Sequence, residues 1–350
     1  MSLAEFWFLL IAILWSGYFL LEGFDFGVGM LLPVLGRDDV GRRVLINTIG
    51  PVWDANEVWV LVAGAGIFAA FPYWYATLFS GFYLPLLLIL VALIVRGVAF
   101  EYRGKVDDEA WRKRWDVAIV VGSAVPALLW GVAFANIVRG VPIDAQGNYT
   151  GTLFTLLNPY GLLGGLVTLS LFLTHGAVFI ALKTVGPVRG EARRLAEKLG
   201  LVTAVLAVAF LGWTYADSRD TWSLVLSLGA AVALLGALAA NRRESEGWAF
   251  VLTAATIVLA TGALFTALFP DVMPSTTDPA FSLTVTNASS TPYTLKVMSW
   301  VAVVMTPFVV AYQAWTYWVF RQRIGRDSIP TGVPEAARTQ PAVAGPPEPR

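Results

Sequence analysis

The chain reads LEGFDFG over residues 21–27 and GPVWDANEVW over residues 50–59, so it places two pairs of carboxyl groups inside otherwise apolar runs. A charged side chain at the centre of a membrane helix costs about 2.5–3.5 kcal/mol on insertion scales, so such residues are functional candidates. Within each pair the acids are three residues apart, and on a helix they would share one face. The candidate site residues are therefore Glu22, Asp25, Asp54 and Glu57.

The composition around these stretches is that of a membrane protein. Of the 350 residues, 57% are hydrophobic and 14% are charged, against roughly 25% charged in an average soluble domain. The net charge is zero, which gives no basic footprint for nucleic acid. There is no cysteine and a single histidine, His175. This excludes disulfides, thiolate metal sites and iron–sulfur clusters, and the chain alone cannot supply two histidines to a haem.

Nine segments are long and apolar enough to cross a bilayer, so we expect an all-α polytopic membrane protein. The segments cover residues 5–35, 47–71, 76–102, 116–139, 159–182, 199–216, 222–240, 247–269 and 296–320. Twenty Lys and Arg residues lie in alternate connections and the C-terminal tail, against three on the opposite side. The positive-inside rule therefore predicts an N-terminus outside and a C-terminus in the cytoplasm. We divide the chain into a nine-helix transmembrane domain, residues 1–325, and a disordered, Pro-rich cytoplasmic tail, residues 326–350.

Helix geometry predicts the depth of these residues. At 1.5 Å per residue, Asp25 and Asp54 lie about 15 Å from the cytoplasmic ends of their segments, and Arg96 about 10 Å. If the first two helices are antiparallel neighbours, Asp25 lies level with Asp54 and Glu22 level with Glu57. We interpret the four acids as a proton path with Arg96 as charge partner. The alternative is a buried polar network that only fixes helix packing. We expect His175 to be a hydrogen-bonded core residue and not a metal ligand.

Five stretches together resemble one known family. Residues 23–29 and 50–59 are similar to the signatures of the first two helices of subunit II of cytochrome bd-type quinol oxidases. Three further stretches match the same family: RGVAFEYR at 96–103, NPYGL at 158–162 and FPDVMPS at 269–275.

The resemblance implies a partner and an activity. The chain would pair with a larger subunit I that carries two b-type haems, haem d and the quinol site. The complex would oxidise quinol and reduce dioxygen to water with cytoplasmic protons, in the bacterial cytoplasmic membrane. This chain would form two four-helix bundles and a ninth helix, ligate no haem, support subunit I and line proton access. Small accessory subunits, lipids and quinone are further possible partners.

A proton- or cation-coupled secondary transporter is the alternative function, because it too would bury carboxylates at depth. Such a transporter should show matching features in its two halves. Here the charged residues cluster in the first three segments without a counterpart in the second half, which favours the oxidase interpretation.

Overall fold

The computed structural model describes residues 1–329, which fold almost entirely as α-helices. The helices are α1 (Leu3–Leu35), α2 (Asp39–Ile49), α3 (Trp53–Ala70), α4 (Pro72–Gly81), α5 (Tyr83–Tyr102), α6 (Glu109–Arg139), α7 (Leu153–Leu156), α8 (Pro159–Lys183), α9 (Pro187–Ser218), α10 (Thr221–Arg242), α11 (Glu246–Leu268) and α12 (Pro292–Val319). Two short strands, β1 (Asp271–Met273) and β2 (Leu283–Thr284), pair antiparallel. Of the predicted tail, residues 326–328 form a 3-10 turn, and residues 330–350 lie outside the described part.

Among the described residues, eight helices are long and apolar enough to cross a membrane, or nine if α2 and α3 form one span bent by 47°. The prediction of an all-α polytopic membrane protein is therefore confirmed. Two segments differ from their predicted bounds because prolines interrupt them. Residues 47–71 are not one helix, since the chain bends at 50–52, where Pro51 lacks a backbone N–H. Residues 76–102 divide at Phe82, because Pro85 cannot donate to the Gly81 carbonyl.

Helix starts follow the local sequence. Ser2 and Glu5 form a capping box at α1, in which each side chain bonds to the backbone N–H of the other. Side-chain oxygens cap five further helices at their first backbone N–H groups. These caps are Asp38, Asp108, Asn158, Asp220 and Thr291.

The helices pack as two groups of four. The first bundle contains α1, α3, α5 and α6, and the second contains α8, α9, α10 and α11. Helices α1 and α6 also pack against α8, which joins the bundles. Helix α12 packs mainly against α1 and α3, and Leu295 is its one fully buried residue. This is the arrangement of two four-helix bundles and a ninth helix.

The crossing of α1 and α8 requires glycine on both helices. A Cβ on Gly27 would lie 2.7 Å from the Cα of Gly176, and a Cβ on Gly176 would lie 2.7 Å from the backbone nitrogen of Val28. Small residues at such crossings let two helix backbones approach closely. The glycines therefore set how closely the bundles pack.

The loop between α6 and α8 and the loop between α11 and α12 pack together at one end of the molecule. The Val141 N–H donates to the Pro274 carbonyl at 3.0 Å, and the Thr276 N–H donates to the Val141 carbonyl at 3.0 Å. At the other end, the Lys183 ammonium at the end of α8 donates to the Gln322 carbonyl at 3.0 Å and to the carbonyl of Phe320. The segment after α12 is thereby held against the ends of α1 and α8, where most of the arginines lie.

Candidate functional site

Arg96 joins the charged residues of three helices in the first bundle. Its guanidinium forms ion pairs with Glu22 of α1 and with Glu57 of α3, the latter at 3.2 Å between Nη2 and Oε2. Arg96 and Glu22 are completely buried, whereas the Glu57 side chain is 24% exposed. The structure therefore brings three of the five predicted site residues, Glu22, Glu57 and Arg96, into direct contact.

The surroundings of Arg96 are aromatic and tight. The guanidinium carbon lies 4.7 Å from the centre of the Phe26 ring and 5.6 Å from that of Phe100, distances at which cation and ring attract. A Cβ on Gly122 of α6 would lie 2.7 Å from the Cβ of Arg96, so glycine is needed there. Packing on all sides fixes the guanidinium between the two glutamates.

Several polar atoms of this cluster have no protein partner. Within residues 1–329, Glu22 Oε2, Asp25 Oδ1, and Nε and Nη1 of Arg96 make no hydrogen bond to another residue. Buried polar groups are nearly always hydrogen-bonded, and exceptions of this kind are typical of functional sites. The cluster also contains more acids than cations, so bound protons can balance the excess charge.

Asp25 contacts a different set of side chains. It is completely buried, and its Oδ2 accepts a hydrogen bond from Nδ2 of Asn56 at 2.7 Å. Oδ1 of Asn56 in turn accepts from Nε2 of Gln313 at 2.9 Å and from the Tyr317 hydroxyl at 2.8 Å. A polar chain thus runs from α1 through α3 to α12.

The structure does not place Asp54 beside Asp25. The expected level pairing assumed a helix running straight from residue 47, but α3 begins at Trp53 after the bend. Asp54 therefore lies in the first turn of α3 with its side chain exposed, and it makes no hydrogen bond or ion pair within residues 1–329. Asn56, two residues further along, takes the position opposite Asp25.

Sequence reasoning missed Asn56, Gln313 and Tyr317. Asn56 lies within the stretch 50–59, but it carries no charge that would distinguish it from its neighbours. Gln313 and Tyr317 are four residues apart in α12, a spacing that places both on one helix face. A search for neutral hydrogen-bonding residues at helical spacing inside the apolar segments would have found them.

A second polar network lies at the arginine-rich end of the first bundle. Asp116 of α6 is nearly buried and bonds Arg103 at 2.6 Å and Arg42 at 2.8 Å. Arg103 also bonds Asp39 of α2 at 2.9 Å. Arg103 and Arg96 lie seven residues apart on α5, so their side chains lie on nearly the same helix face about 10 Å apart along the axis.

The segment after α12 is tied to both bundles. Arg323 pairs with Glu246 at the start of α11 at 3.3 Å, and Arg326 forms a two-point pair with Asp38 beside α1. The Arg326 guanidinium hydrogen-bonded to Asp38 lowers the pKa of that carboxyl to about 2. The last described residues therefore connect α12, α11 and the end of α1.

His175 is buried, and both of its ring nitrogens are bonded. Nε2 lies 3.2 Å from the Leu20 carbonyl and Nδ1 lies 2.7 Å from the Thr253 hydroxyl. A carbonyl can only accept, so the hydrogen bond to Leu20 places a ring proton on Nε2. No group of three or more His, Cys, Asp or Glu residues within 1–329 could hold a metal ion. With its only histidine engaged in this way, the described part of the chain does not fit a haem.

The second bundle encloses a different kind of space. A cavity of about 290 Å³ lies between α8, α9, α10 and α11, with α1 and α6 closing one side. Its walls are almost wholly apolar and include Phe19, Phe134, Phe172, Leu211 and Leu264. The charged cluster and this apolar cavity therefore lie in different parts of the molecule.

Fold and cluster together define a class: a polytopic membrane protein that buries ionisable side chains between its first helices. The model of the cytochrome bd terminal oxidase subunit II family matches residues 3–320, and the chain belongs to that family. It is a subunit of a terminal oxidase complex, which sets aside the transporter alternative.

The sequence similarity to known relatives extends over nearly the whole chain. The Bacillus subtilis (strain 168) protein named cytochrome bd ubiquinol oxidase subunit 2 is 47% identical over 328 residues, covering 92% of this chain and 97% of that protein. The Escherichia coli (strain K12) cytochrome bd-I ubiquinol oxidase subunit 2 is 40% identical over 365 residues, covering 92% and 95%. A chain of the bd oxidase structure from Geobacillus thermodenitrificans shares the fold, with a TM-score of 0.76 at 17% identity, covering 91% of this chain and 99% of that one.

Proposed function

We propose that this chain supports the haem-bearing subunit I of a quinol-oxidising, oxygen-reducing complex and conducts cytoplasmic protons toward it through Glu22, Asp25, Asp54 and Glu57. The contact chain Glu22–Arg96–Glu57 carries this proposal. The names of the relatives, ubiquinol oxidase subunit 2, give the substrate class of the complex. The b-type haems and haem d belong to subunit I in this proposal, and quinol is the electron donor.

The chemistry of the cluster suits proton transfer. An arginine keeps its proton and offers several N–H donors in a fixed plane, so it orients carboxylates without titrating itself. Carboxyl groups take up and release protons, and their efficiency depends on a position within hydrogen-bond reach of the next carrier. Arg96 thus fixes Glu22 and Glu57 in place, while each acid retains an oxygen for exchange.

A route from the cytoplasm follows α5. Protons enter at the network of Asp39, Arg103 and Asp116, then pass two helix turns along α5 to Arg96 and Glu22. This direction assumes the topology that the arginine distribution predicts, with the N-terminus outside. Since the polar groups are separated by about 10 Å, water has to bridge the interval beside the Phe100 ring.

The route leaves this chain at the surface of α3. Glu57 is the partly exposed end of the ion-pair chain, and Asp54 lies exposed one turn before it. Neighbouring faces of α5 and α12 expose large apolar residues, among them Leu88, Ile94 and Phe308. We infer that subunit I covers this surface, receives the protons there and is supported by it. Accessory subunits, lipids and a quinone held by this chain stay expectations of the family resemblance.

Glu22→Gln in the complete complex tests this function. Glutamine keeps the shape and most hydrogen bonds of Glu22 but cannot exchange a proton. The variant complex should assemble with its haem d and accept electrons from quinol, while oxygen consumption per haem d falls steeply. Glu109→Gln, an exposed residue in the first turn of α6, is the matched control and should turn over normally. Normal turnover in an assembled Glu22→Gln complex would remove Glu22 from the path.

A further inference from the structure

The amide of Asn56 uses all of its hydrogen-bonding positions. Nδ2 donates to Asp25 Oδ2 at 2.7 Å and to the Leu21 carbonyl at 3.4 Å. Oδ1 accepts from Gln313 Nε2 at 2.9 Å and from the Tyr317 hydroxyl at 2.8 Å. Asn56 is completely buried. Two donors and two acceptors exhaust the capacity of an amide side chain, so Asn56 has a single satisfied orientation.

Donor-only groups fix the direction of this chain of hydrogen bonds. The indole N–H of Trp59 approaches Oε1 of Gln313 at 3.5 Å, and an indole N–H can only donate. Gln313 must therefore turn its Nε2 toward Asn56. Asn56 then accepts on its oxygen and donates from its nitrogen, so the hydrogen bonds from Gln313 and Tyr317 lead through Asn56 to Asp25.

This direction makes the two oxygens of Asp25 unequal. Oδ2 already accepts from Asn56, so Oδ1 is the oxygen left with both lone pairs open to a proton. Oδ1 makes no hydrogen bond to another residue within 1–329. We propose that Gln313 and Tyr317 of α12, acting through Asn56, position Asp25 and make Oδ1 the oxygen that takes up and releases the proton. This inference rests on the proposed proton path and adds α12 to it.

The other ionisable groups near Asp25 come from each helix packed around it. Glu22 lies on its own helix, Arg96 on α5 and Glu57 on α3, and all three act on it electrostatically. Tyr317 reaches it from α12 through Asn56. On α8, the ring nitrogens of His175 bond Leu20 and Thr253 and not Asp25. None of these groups occupies Oδ2, so the orientation of Asp25 depends on Asn56.

The variant that tests this inference combines Gln313→Met with Tyr317→Phe in the complete complex. Both changes keep side-chain size and remove the two donors that hold Asn56 Oδ1, so the amide is held only through its nitrogen. Oxygen consumption per haem d should fall roughly tenfold, since general acid–base catalysis by a well-placed group is worth at least that factor. The solvent deuterium isotope effect on turnover should rise, because proton transfer becomes rate-limiting. The infrared carbonyl band of Asp25 should shift. Haem d content and quinol-driven haem reduction should not change.

Tyr73→Phe is the matched control. It removes a hydroxyl from an exposed position on α4, outside the surface assigned to subunit I. Its turnover and isotope effect should equal those of the wild type. A purely structural role of the two donors would lower assembly without changing the isotope effect of the assembled enzyme, and that result would overturn the inference.

Asp25→Asn separates this inference from the proposed function. If Asp25→Asn itself turns over normally, Asp25 is not a proton carrier and both ideas fail for this residue. If Asp25→Asn is slow but the Gln313→Met/Tyr317→Phe complex behaves as Tyr73→Phe does, only the positioning role is overturned. In the Asp25→Asn background the two α12 changes should have no additional effect. If the double variant does not assemble, the two single variants replace it, since each keeps one donor to Asn56. Each single variant should still raise the isotope effect. Wild-type isotope effects in both would overturn the inference.

Discussion

Arg96 is the residue on which the buried charges of the first bundle depend. Moving an ion from water into a protein interior costs several kcal/mol, and a partner of opposite charge recovers much of this only when the geometry is good. Arg96 contacts Glu22 and Glu57 on separate helices and stacks between two aromatic rings. Its removal would leave two carboxyl groups without their cation, while the removal of one acid would leave a paired arginine.

This asymmetry predicts the behaviour of Arg96→Gln. We expect it to destabilise the chain by about 3–5 kcal/mol, the cost of breaking a buried ion pair, and to reduce the haem d that co-purifies with the complex. Adding Glu22→Gln removes one uncompensated acid and should restore part of the yield. Haem d per milligram of purified complex measures both effects. Wild-type yield in the Arg96→Gln single variant would show that the ion pair does not stabilise the assembly.

Asp54 tests the surface end of the proposed path. Because its side chain is exposed in this chain, Asp54→Asn should assemble with all haems and still accept electrons from quinol. Its steady-state oxygen consumption should fall steeply if the carboxyl relays protons. Asp107→Asn, at a fully exposed position in the loop before α6, serves as control. Normal turnover of assembled Asp54→Asn, measured with an oxygen electrode per haem d, would remove Asp54 from the path.

At the scale of helices, the hydropathy of the sequence predicts where the long helices begin and end. Helix α1 spans Leu3–Leu35 against a predicted 5–35, because one continuous apolar run leaves no other interpretation. The bend before α3 and the break at Phe82 were not predicted, although Pro51 and Pro85 mark them, because hydropathy contains no backbone geometry. The Asn56–Gln313 bond joins residues 257 positions apart. The spacing of Gln313 and Tyr317 marks one face of α12, but nothing in a single sequence pairs that face with Asn56.

The crossing of α1 and α8 gives a test of bundle packing. Gly176→Ala would place a methyl group 2.7 Å from the Val28 nitrogen, and overpacking of this kind costs typically about 1–3 kcal/mol. The temperature at which the complex loses its haem d absorbance should therefore decrease. Gly190→Ala in α9 is the control, since a Cβ there has no atom within 4 Å. Equal midpoints for the two variants would contradict the close-packed crossing.

The pair of Asp38 and Arg326 predicts a pH dependence at the end of α1. The folded-state pKa of Asp38, about 2, lies below its ordinary value of about 3.9. Its stabilising contribution is thus present above about pH 4 and is lost as the pH falls from about 4 to 2. Arg326→Gln should have a slightly lower thermal midpoint than the wild type at pH 5, because exposed pairs contribute little. The difference should shrink steadily as the pH falls from about 4 to 2; a constant difference would contradict the pairing.

For the whole molecule, the two bundles differ in chemistry. The first bundle holds the ion-pair chain and the Asp25 network. The second bundle contains an apolar cavity of about 290 Å³. Helix α12 links to the first bundle through hydrogen bonds and exposes most of its surface. In the proposed function, the first bundle and α12 meet subunit I. The charged cluster would then lie at the surface where protons pass from this chain to its partner.

Proton uptake by the purified complex, followed with a pH-sensitive dye during oxidation of the quinol-reduced enzyme by dioxygen, tests this account most directly. The wild type should take up protons at the rate of turnover. In Glu22→Gln, uptake should slow by the same factor as oxygen consumption, while the preceding reduction of the haems by quinol keeps its wild-type rate. Proton uptake at the wild-type rate in the assembled Glu22→Gln complex would contradict the account.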